Sequence, residues 1–223
     1  GQWATIDPQS MKSLVESFPE QVLSAAQAGQ NISLAPPGEI KAIVVTGLGG
    51  SAIGGDLVRA ITESQLQYPV IVNRNYDLPA FVDSSTLVFA CSYSGNTEET
   101  LSAYEQAKRA KASIVCITSG GKLATLAAEN AHPMIRLPGG LPPRAALGHS
   151  LIALLAAMQA MQILPDMSSS IEEAVKLLHA LRDRYGISNP ESSNAAKQLA
   201  RSICGKMVTI YGSNGIMESA AYR

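Results

Sequence analysis

The sequence contains few aromatic residues, few charged residues and little cysteine. Aromatic side chains make up 5% of its 223 residues, charged side chains 16%, and only three cysteines are present. Seventeen basic residues stand against eighteen acidic ones, giving a formal net charge of −1. Such a balance does not favour nucleic acid or an anionic membrane as a partner, so we expect neither.

Long apolar runs and a leader pattern are also lacking. No stretch of the sequence approaches the roughly 20 apolar residues that a membrane-spanning helix needs, and no signal-peptide pattern opens it. We therefore expect a cytoplasmic protein with one large or two small domains. Because the net charge is close to zero, an anionic ligand of such a protein must be bound by groups at a local site rather than by the overall charge.

The cysteines and histidines are too scattered to suggest a disulfide framework or a metal site. The cysteines are Cys91, Cys116 and Cys204, and the histidines are His132, His149 and His179. Since the cysteines lie in or near apolar segments, we predict that they are buried thiols. No pair of histidines has metal-ligand spacing, and we predict neither a metal nor a cofactor.

The sequence does contain a regular alternation of short apolar runs and helical stretches. The runs that predict strands cover 41–46, 69–73, 86–91, 113–118 and 134–137. Strands that alternate with helices are typical of a parallel sheet covered on both faces. We therefore predict an α/β fold with three αβα layers around a five-stranded parallel sheet. An opening helix is predicted from Asp7-Pro8 to Ala28, later helices end near Ile163, Tyr185 and Cys204, and a further strand covers 206–211.

The most informative segment follows the third of these strands and reads Ser92-Tyr93-Ser94-Gly95-Asn96-Thr97-Glu98-Glu99-Thr100. It stands where a strand gives way to a helix, whose unpaired N–H groups and dipole favour an anion such as phosphate. Ser92, Ser94 and Thr97 can each donate a further hydrogen bond, and Gly95 permits a tight turn. An ordinary capped helix is the alternative interpretation. Three hydroxyls after one strand favour the anion site.

A second glycine-rich loop follows the first strand and runs from Gly47 to Asp56. Its glycines allow close backbone approach to a ligand, and Gly50 and Ser51 stand at the start of the next helix. Gly47, Gly49 and Ala52 of this loop also fit a dinucleotide fingerprint, which requires an acidic residue at the end of the second strand. That strand ends in Asn73-Arg74-Asn75. The lack of a carboxylate there argues against NAD, whereas Arg74 keeps a 2′-phosphorylated cofactor open.

Together the two loops resemble the SIS (sugar isomerase) family of phosphosugar-binding domains, and more closely its bifunctional phosphoglucose/phosphomannose isomerases. The resemblance covers roughly residues 40 to 223. Its further motifs are Asn75-Tyr76-Asp77-Leu78-Pro79, Leu141-Pro142-Pro143-Arg144-Ala145-Ala146-Leu147-Gly148, Tyr211-Gly212-Ser213 and Glu218-Ser219-Ala220-Ala221-Tyr222-Arg223. As a set these motifs are specific, whereas each alone is not.

The resemblance implies roles for individual residues. Gly50, Ser51, Ser92, Ser94 and Thr97 would hold the phosphate of a hexose 6-phosphate. Arg144 would stabilise the anionic intermediate, which a guanidinium suits by its charge and directed donors. Glu218 would be the general base that moves a proton between C1 and C2. Without the resemblance, a surface arginine and a solvated helical glutamate would be the simpler interpretations.

The resemblance also implies the domain organisation. Residues 1–165 would form an opening helix and a first SIS domain, flavodoxin-like or Rossmann-like, and 166–223 the start of a second, similar domain. Family members carry a ring-opening histidine downstream of the glutamate and a lysine near the C-terminus. Neither position exists in the 223 residues, so we expect an incomplete second domain. A homodimer is expected from the family likeness alone.

Two functions follow from the sequence. The first is an aldose-ketose isomerase that interconverts glucose 6-phosphate or mannose 6-phosphate with fructose 6-phosphate through a cis-enediolate. The second is a phosphosugar-binding or regulatory module without chemistry, which the missing histidine favours. A weaker third hypothesis is an NADP-binding domain built on the glycine-rich loop.

Overall fold

A parallel sheet of five strands forms the centre of the fold. The computed structural model describes residues 3–222. The strands are β1 (Ala42–Thr46), β2 (Val70–Asn73), β3 (Thr86–Cys91), β4 (Ser113–Thr118) and β5 (Met134–Arg136). They lie in the order β2-β1-β3-β4-β5, and every neighbouring pair is parallel. The prediction of a five-stranded parallel α/β fold is confirmed.

Helices occupy both sides of this sheet. The α-helices are α1 (Trp3–Ile6), α2 (Met11–Glu16), α3 (Phe18–Gly29), α4 (Gly50–Thr62), α5 (Glu98–Arg109), α6 (Gly121–Glu129), α7 (Leu147–Ala160), α8 (Ser168–Tyr185), α9 (Ala195–Ile203) and α10 (Ile216–Tyr222). Short 3-10 helices cover Pro143–Ala145 and Glu191–Ser193. Within residues 3–222, no helix is long and apolar enough to cross a membrane.

The core lies in two layers because successive strand residues point to opposite faces of the sheet. In β1, Ile43 and Val45 pack into the layer that also contains Val58 of α4 and Leu154 of α7. Val44 packs into the other layer, with side chains of α5 and α6. All five residues of β1 are buried, as expected for a parallel strand covered on both faces.

The predicted opening helix is interrupted, and this part of the prediction is wrong. The chain forms α2 and α3 instead, with a break before Pro19, which lies in the first turn of α3. Proline has no N–H and its ring collides with the preceding turn of a continuous helix, so it is tolerated only near a helix start. Asp7 still acts near the N-terminus of α2, because its carboxylate accepts the N–H groups of Met11 at 2.7 Å and Lys12 at 2.8 Å.

The predicted strand at 206–211 is not formed either. This segment has no regular secondary structure, and Met207 and Tyr211 are 98% and 91% exposed. A strand is stable only when its backbone groups pair with a neighbouring strand. Between residues 3 and 222 the only sheet strands are the five already described, and none of them pairs with this segment.

The prediction of buried cysteines is correct for two of the three. Cys91 and Cys116 are buried side chains of β3 and β4, whereas Cys204, just after α9, is exposed. Burial raises the pKa of the Cys91 thiol, and it raises the pKa of the Cys116 thiol to about 12. These two thiols are therefore protonated at neutral pH and act as small apolar side chains.

Two partly or fully buried histidines predict a loss of stability at mildly acidic pH. Burial lowers the pKa of His149 in α7 below its ordinary value of 6.5, and burial together with Lys108 lowers that of His132. Because the unfolded histidines bind protons more readily than the folded ones, the free energy of unfolding falls as the pH drops below about 6.5. We expect a lower urea midpoint at pH 5.5 than at pH 7.5.

The double variant His132→Gln, His149→Gln should show a smaller difference between these two midpoints. Exposed carboxylates with lowered pKa values, such as Glu20 and Asp83, add a similar loss only at lower pH. A urea midpoint that rises on acidification would contradict the assignment of this pH dependence to the two histidines. So would a difference between the midpoints at pH 5.5 and pH 7.5 that the double variant leaves unchanged.

Candidate functional site

The two loops predicted to bind an anion lie next to each other at the carboxyl edge of the sheet. β1 is flanked by β2 on one side and β3 on the other. The chain therefore adds β2 on one side of β1 and β3 to β5 on the other side, and the switch point lies between β1 and β3. Ligands of open α/β sheets bind in the crevice at such a switch point. The loops after β1 and β3 border this crevice, because Thr46 pairs with Ala90 in neighbouring strands.

Hydrogen bonds within the β3–α5 loop give its three hydroxyl residues different roles. Ser92 is 1% exposed, and its Oγ accepts the N–H of Gly95 at 3.0 Å and lies 2.9 Å from Thr97 Oγ1. When the Ser92 hydroxyl donates to Thr97, the Thr97 hydroxyl can donate outwards. Ser92 therefore orients Thr97 rather than lying at the surface of the crevice.

Thr97 and Ser94 have the better access to a ligand. Thr97 is the N-cap residue of α5, yet its side chain makes no capping hydrogen bond. Ser94 is exposed, and its Oγ accepts the N–H of Asn96 at 3.2 Å, which leaves its O–H proton available as a donor. These two hydroxyls stand at the positive end of the α5 dipole, where an anion is stabilised.

Close packing against the β4–α6 loop fixes the shape of the β3–α5 loop. Gly95 has a φ of 70°, and a Cβ at this position would lie 1.7 Å from the carbonyl oxygen of Gly120. Asn96 Oδ1 accepts the N–H of Lys122 at 3.0 Å, and Gly95 O accepts that of Leu123 at 2.8 Å. The requirement for glycine that the sequence predicted thus has two causes, a left-handed backbone and a lack of space.

The β1–α4 loop brings its glycines close to neighbouring backbone. A Cβ on Gly47 would lie 2.9 Å from Cys91 O, and one on Gly50 would lie 3.1 Å from Pro143 O. Gly50 is the first residue of α4, and Ser51 is half-buried in the same turn. The loop therefore lies between the end of β3 and the segment that carries Arg144.

Arg144 lies in the short 3-10 helix Pro143–Ala145, not in the first turn of a long helix as predicted. The residue is exposed. The separation of this turn from α7 removes the unfavourable placement of a cation in the first turn of an α-helix. The contact between Gly50 and Pro143 places the turn beside the N-terminus of α4.

Two side chains, Tyr93 and Gln21, make hydrogen bonds in this region that the sequence did not predict. The Tyr93 hydroxyl donates to Pro138 O at 2.8 Å and accepts the N–H of Leu141 at 3.0 Å. Gln21 of α3 donates to Ala145 O and accepts the N–H of Gly148, both at 2.7 Å. The partners are 45 to 127 residues apart in sequence, and no local pattern indicates them.

Glu218 is an exposed residue in the first turn of α10, which packs against α4. The Tyr222 ring, one turn further along α10, lies 5.6 Å from the Arg74 guanidinium. Arg74 also pairs with the buried carboxylate of Asp56 in α4. This pairing disfavours the NADP hypothesis, since the cation it needs for a 2′-phosphate is already neutralised. Arg223 lies outside the described residues.

A groove of about 1110 Å³ lies elsewhere, between α2, α8 and α9, and Arg144 is at its border. Its lining is mainly apolar, and Lys12, Arg182 and Lys197 already have partners. Lys12 pairs with Glu16 at 3.2 Å, Arg182 with Glu20 at 2.6 Å, and Lys197 donates to Ile187 O at 2.6 Å. The hydroxyl-lined crevice at the switch point is therefore the better candidate for an anion.

The fold and these loops define a flavodoxin-like α/β protein with hydroxyl-bearing helix N-termini at the switch point of its sheet. Residues 39–162, more than half of the chain, match the SIS domain. The chain belongs to the SIS domain family, and the resemblance seen in its sequence motifs is confirmed.

Sequence relatives narrow the comparison. The bifunctional phosphoglucose/phosphomannose isomerase of Caldicellulosiruptor bescii is 49% identical over 210 residues, which cover 94% of this chain and 62% of the relative. The enzyme of the same name from Thermoplasma acidophilum is 38% identical over 187 residues, covering 83% of this chain and 54% of the relative. The chain thus spans between about half and two thirds of the length of these relatives.

A solved structure supports the fold. A hypothetical protein from Thermus thermophilus superimposes with a TM-score of 0.60 at 19% identity, covering 88% of this chain and 48% of that one. At this identity the similarity shows the shared architecture alone.

Proposed function

We propose that the protein is an isomerase that interconverts glucose 6-phosphate or mannose 6-phosphate with fructose 6-phosphate. The observation that carries the proposal is the pair of hydroxyls, exposed on Ser94 and half-buried on Thr97, at the N-terminus of α5 beside the switch-point crevice. The 49% identity to a bifunctional phosphoglucose/phosphomannose isomerase supports the choice of substrate.

The phosphate would bind at the two helix N-termini. Ser94 and Thr97 donate to its oxygens, Ser92 orients Thr97, and Gly50 and Ser51 approach from the start of α4. Hydrogen bonds to a charged group are stronger than those to a neutral one. This arrangement holds the non-reacting end of the substrate, so that its carbonyl end extends away from the loop.

The chemistry would require one base and one cation. Glu218 removes a proton from C1 of fructose 6-phosphate and returns it to C2, and a cis-enediolate forms between the two transfers. Arg144 stabilises the negative charge that develops on the oxygens of this intermediate. The proposal includes no metal and no cofactor.

The remaining predictions accompany this proposal. We expect a homodimer in the cytoplasm, acting on hexose 6-phosphates, with residues 1–165 as one unit and residues 166–223 as the start of a second. The names of the relatives support the hexose 6-phosphate substrates. Sedimentation of the purified protein tests the dimer.

The experiment that tests the function follows the proton. With fructose 6-phosphate in deuterated water, we expect an aldose 6-phosphate that carries deuterium at C2, detected by NMR. Glu218→Gln should lower the rate by about a hundredfold, in the range of general acid–base catalysis. Binding of fructose 6-phosphate without any conversion would instead indicate the non-catalytic phosphosugar-binding module.

A further inference from the structure

The segment that carries Arg144 is held by buried side chains at both of its ends. It runs from Leu137, after β5, to Gly148 in the first turn of α7. Several residues of the segment are exposed, including Pro138, Gly139 and Gly140. Because exposed loop segments open more readily than packed elements, the contacts at the two ends of this segment matter for the position of Arg144.

Tyr93 holds the first end. Its side chain is 7% exposed, and its hydroxyl bridges Pro138 O and the N–H of Leu141. Tyr93 is itself fixed in place, because its carbonyl oxygen accepts both the N–H and the hydroxyl of Ser119, at 3.0 and 2.6 Å. The residue that anchors the Arg144 segment is therefore part of the β3–α5 loop.

Gln21 holds the second end. Gln21 is 8% exposed, and its amide bridges Ala145 O and the N–H of Gly148, on either side of the gap between the 3-10 helix and α7. A Cβ on Gly148 would lie 2.6 Å from Gln21 Oε1, so the helix start and the amide are in close contact. Because both groups of the amide are used, a substitution leaves two backbone groups without a partner.

We infer that Tyr93 and Gln21 are positioning residues that fix Arg144 relative to the phosphate loop. The inference rests on the proposed function, in which Arg144 stabilises the intermediate. Tyr93 lies between Ser92 and Ser94, so the groups that hold the phosphate and the anchor of the arginine share one rigid turn. The distance between the phosphate-binding hydroxyls and Arg144 is thereby set before the substrate binds. This reduces the entropic cost of ordering the site.

Amide hydrogen exchange tests whether the two side chains hold the segment. Tyr93→Phe removes only the hydroxyl and should raise exchange at Leu141 by about tenfold or more, whereas Gln21→Met should do the same at Gly148. Exchange in β1 and β4 should stay as in the wild-type protein. Unchanged exchange at Leu141 and Gly148 would overturn the inference.

A double-mutant cycle with Arg144→Ala tests whether the effect passes through Arg144. Each single variant should lower kcat by about tenfold to a hundredfold, as small displacements of catalytic groups do, with little change in KM. In the Arg144→Ala background the same substitutions should cost little more, because residues that act as a unit are not additive. Additive losses of kcat would contradict a positioning role.

Tyr104→Phe is the matched control for Tyr93→Phe. Tyr104 is also buried, and its hydroxyl contacts Leu126 O at 3.0 Å and His132 Nδ1 at 2.8 Å, in the other core layer. Its loss should affect stability but not kcat. If the wild-type protein has no isomerase activity, the proposed function fails, and amide exchange at Leu141 and Gly148 alone decides whether the segment is held.

Discussion

Gly95→Ala should abolish binding of fructose 6-phosphate and lower the free energy of unfolding by about 2 to 5 kcal/mol, combining the cost of a left-handed residue with that of overpacking. The φ of 70° is unfavourable for alanine, and the new Cβ would lie 1.7 Å from Gly120 O. Because the position of a Cβ is fixed by its own backbone and the other partner is a backbone carbonyl, no side-chain rotation can relieve this contact. The β3–α5 loop must move, and Ser94 and Thr97 move with it.

Gly140→Ala provides the matched control. Gly140 also has a positive φ, 87°, but a Cβ there would have nothing within 4 Å. It should therefore show only the backbone penalty, about 1 to 2 kcal/mol. Urea denaturation gives the free energies and calorimetry gives the affinities. Equal effects of the two substitutions would contradict the close packing described for Gly95.

Ser94→Ala combined with Thr97→Val should weaken fructose 6-phosphate binding by about 10² to 10⁴, because each lost hydrogen bond to a charged group is worth about 1.5 to 3 kcal/mol. The fold should tolerate both changes, since Ser94 is exposed and the buried Ser92 hydroxyl keeps the N–H of Gly95 as a partner when it loses Thr97. Affinity for inorganic phosphate should fall in parallel, because in the proposed complex the two hydroxyls contact the phosphate and not the sugar.

The control for this pair is Ser84→Ala with Thr125→Val, which removes two exposed hydroxyls, one just before β3 and one within α6. Its affinity for fructose 6-phosphate should equal that of the wild-type protein. An affinity within about threefold of wild type for the Ser94 and Thr97 pair would refute their assignment, since even one charged hydrogen bond exceeds that.

The sheet and the position of its loops were predictable because their signals are local. Strands such as β1 and β3 are buried on both faces, which requires continuous apolar runs that stand out in the sequence. The glycine and hydroxyl residues follow directly after these strands. Parallel strands place their carboxyl ends at one edge, so the meeting of the two loops follows from the sequence.

The contacts that complete the site could not be predicted, because they join distant parts of the chain. Gln21 reaches Ala145 and Gly148 across more than 120 residues, and nothing around Gln21 distinguishes it from any other helical glutamine. The strand prediction at 206–211 was wrong although its signal is local. This segment has the local composition of a strand, but pairing with a neighbour decides whether a strand forms.

The most direct test of the account is a crystal structure of the protein with fructose 6-phosphate bound. The phosphate oxygens should lie within about 2.5 to 3.0 Å of Ser94 Oγ and Thr97 Oγ1, the range of hydrogen bonds between hydroxyl groups and oxygen. The sugar should extend towards Arg144. A phosphate bound elsewhere, for example in the apolar groove between α2, α8 and α9, would contradict it.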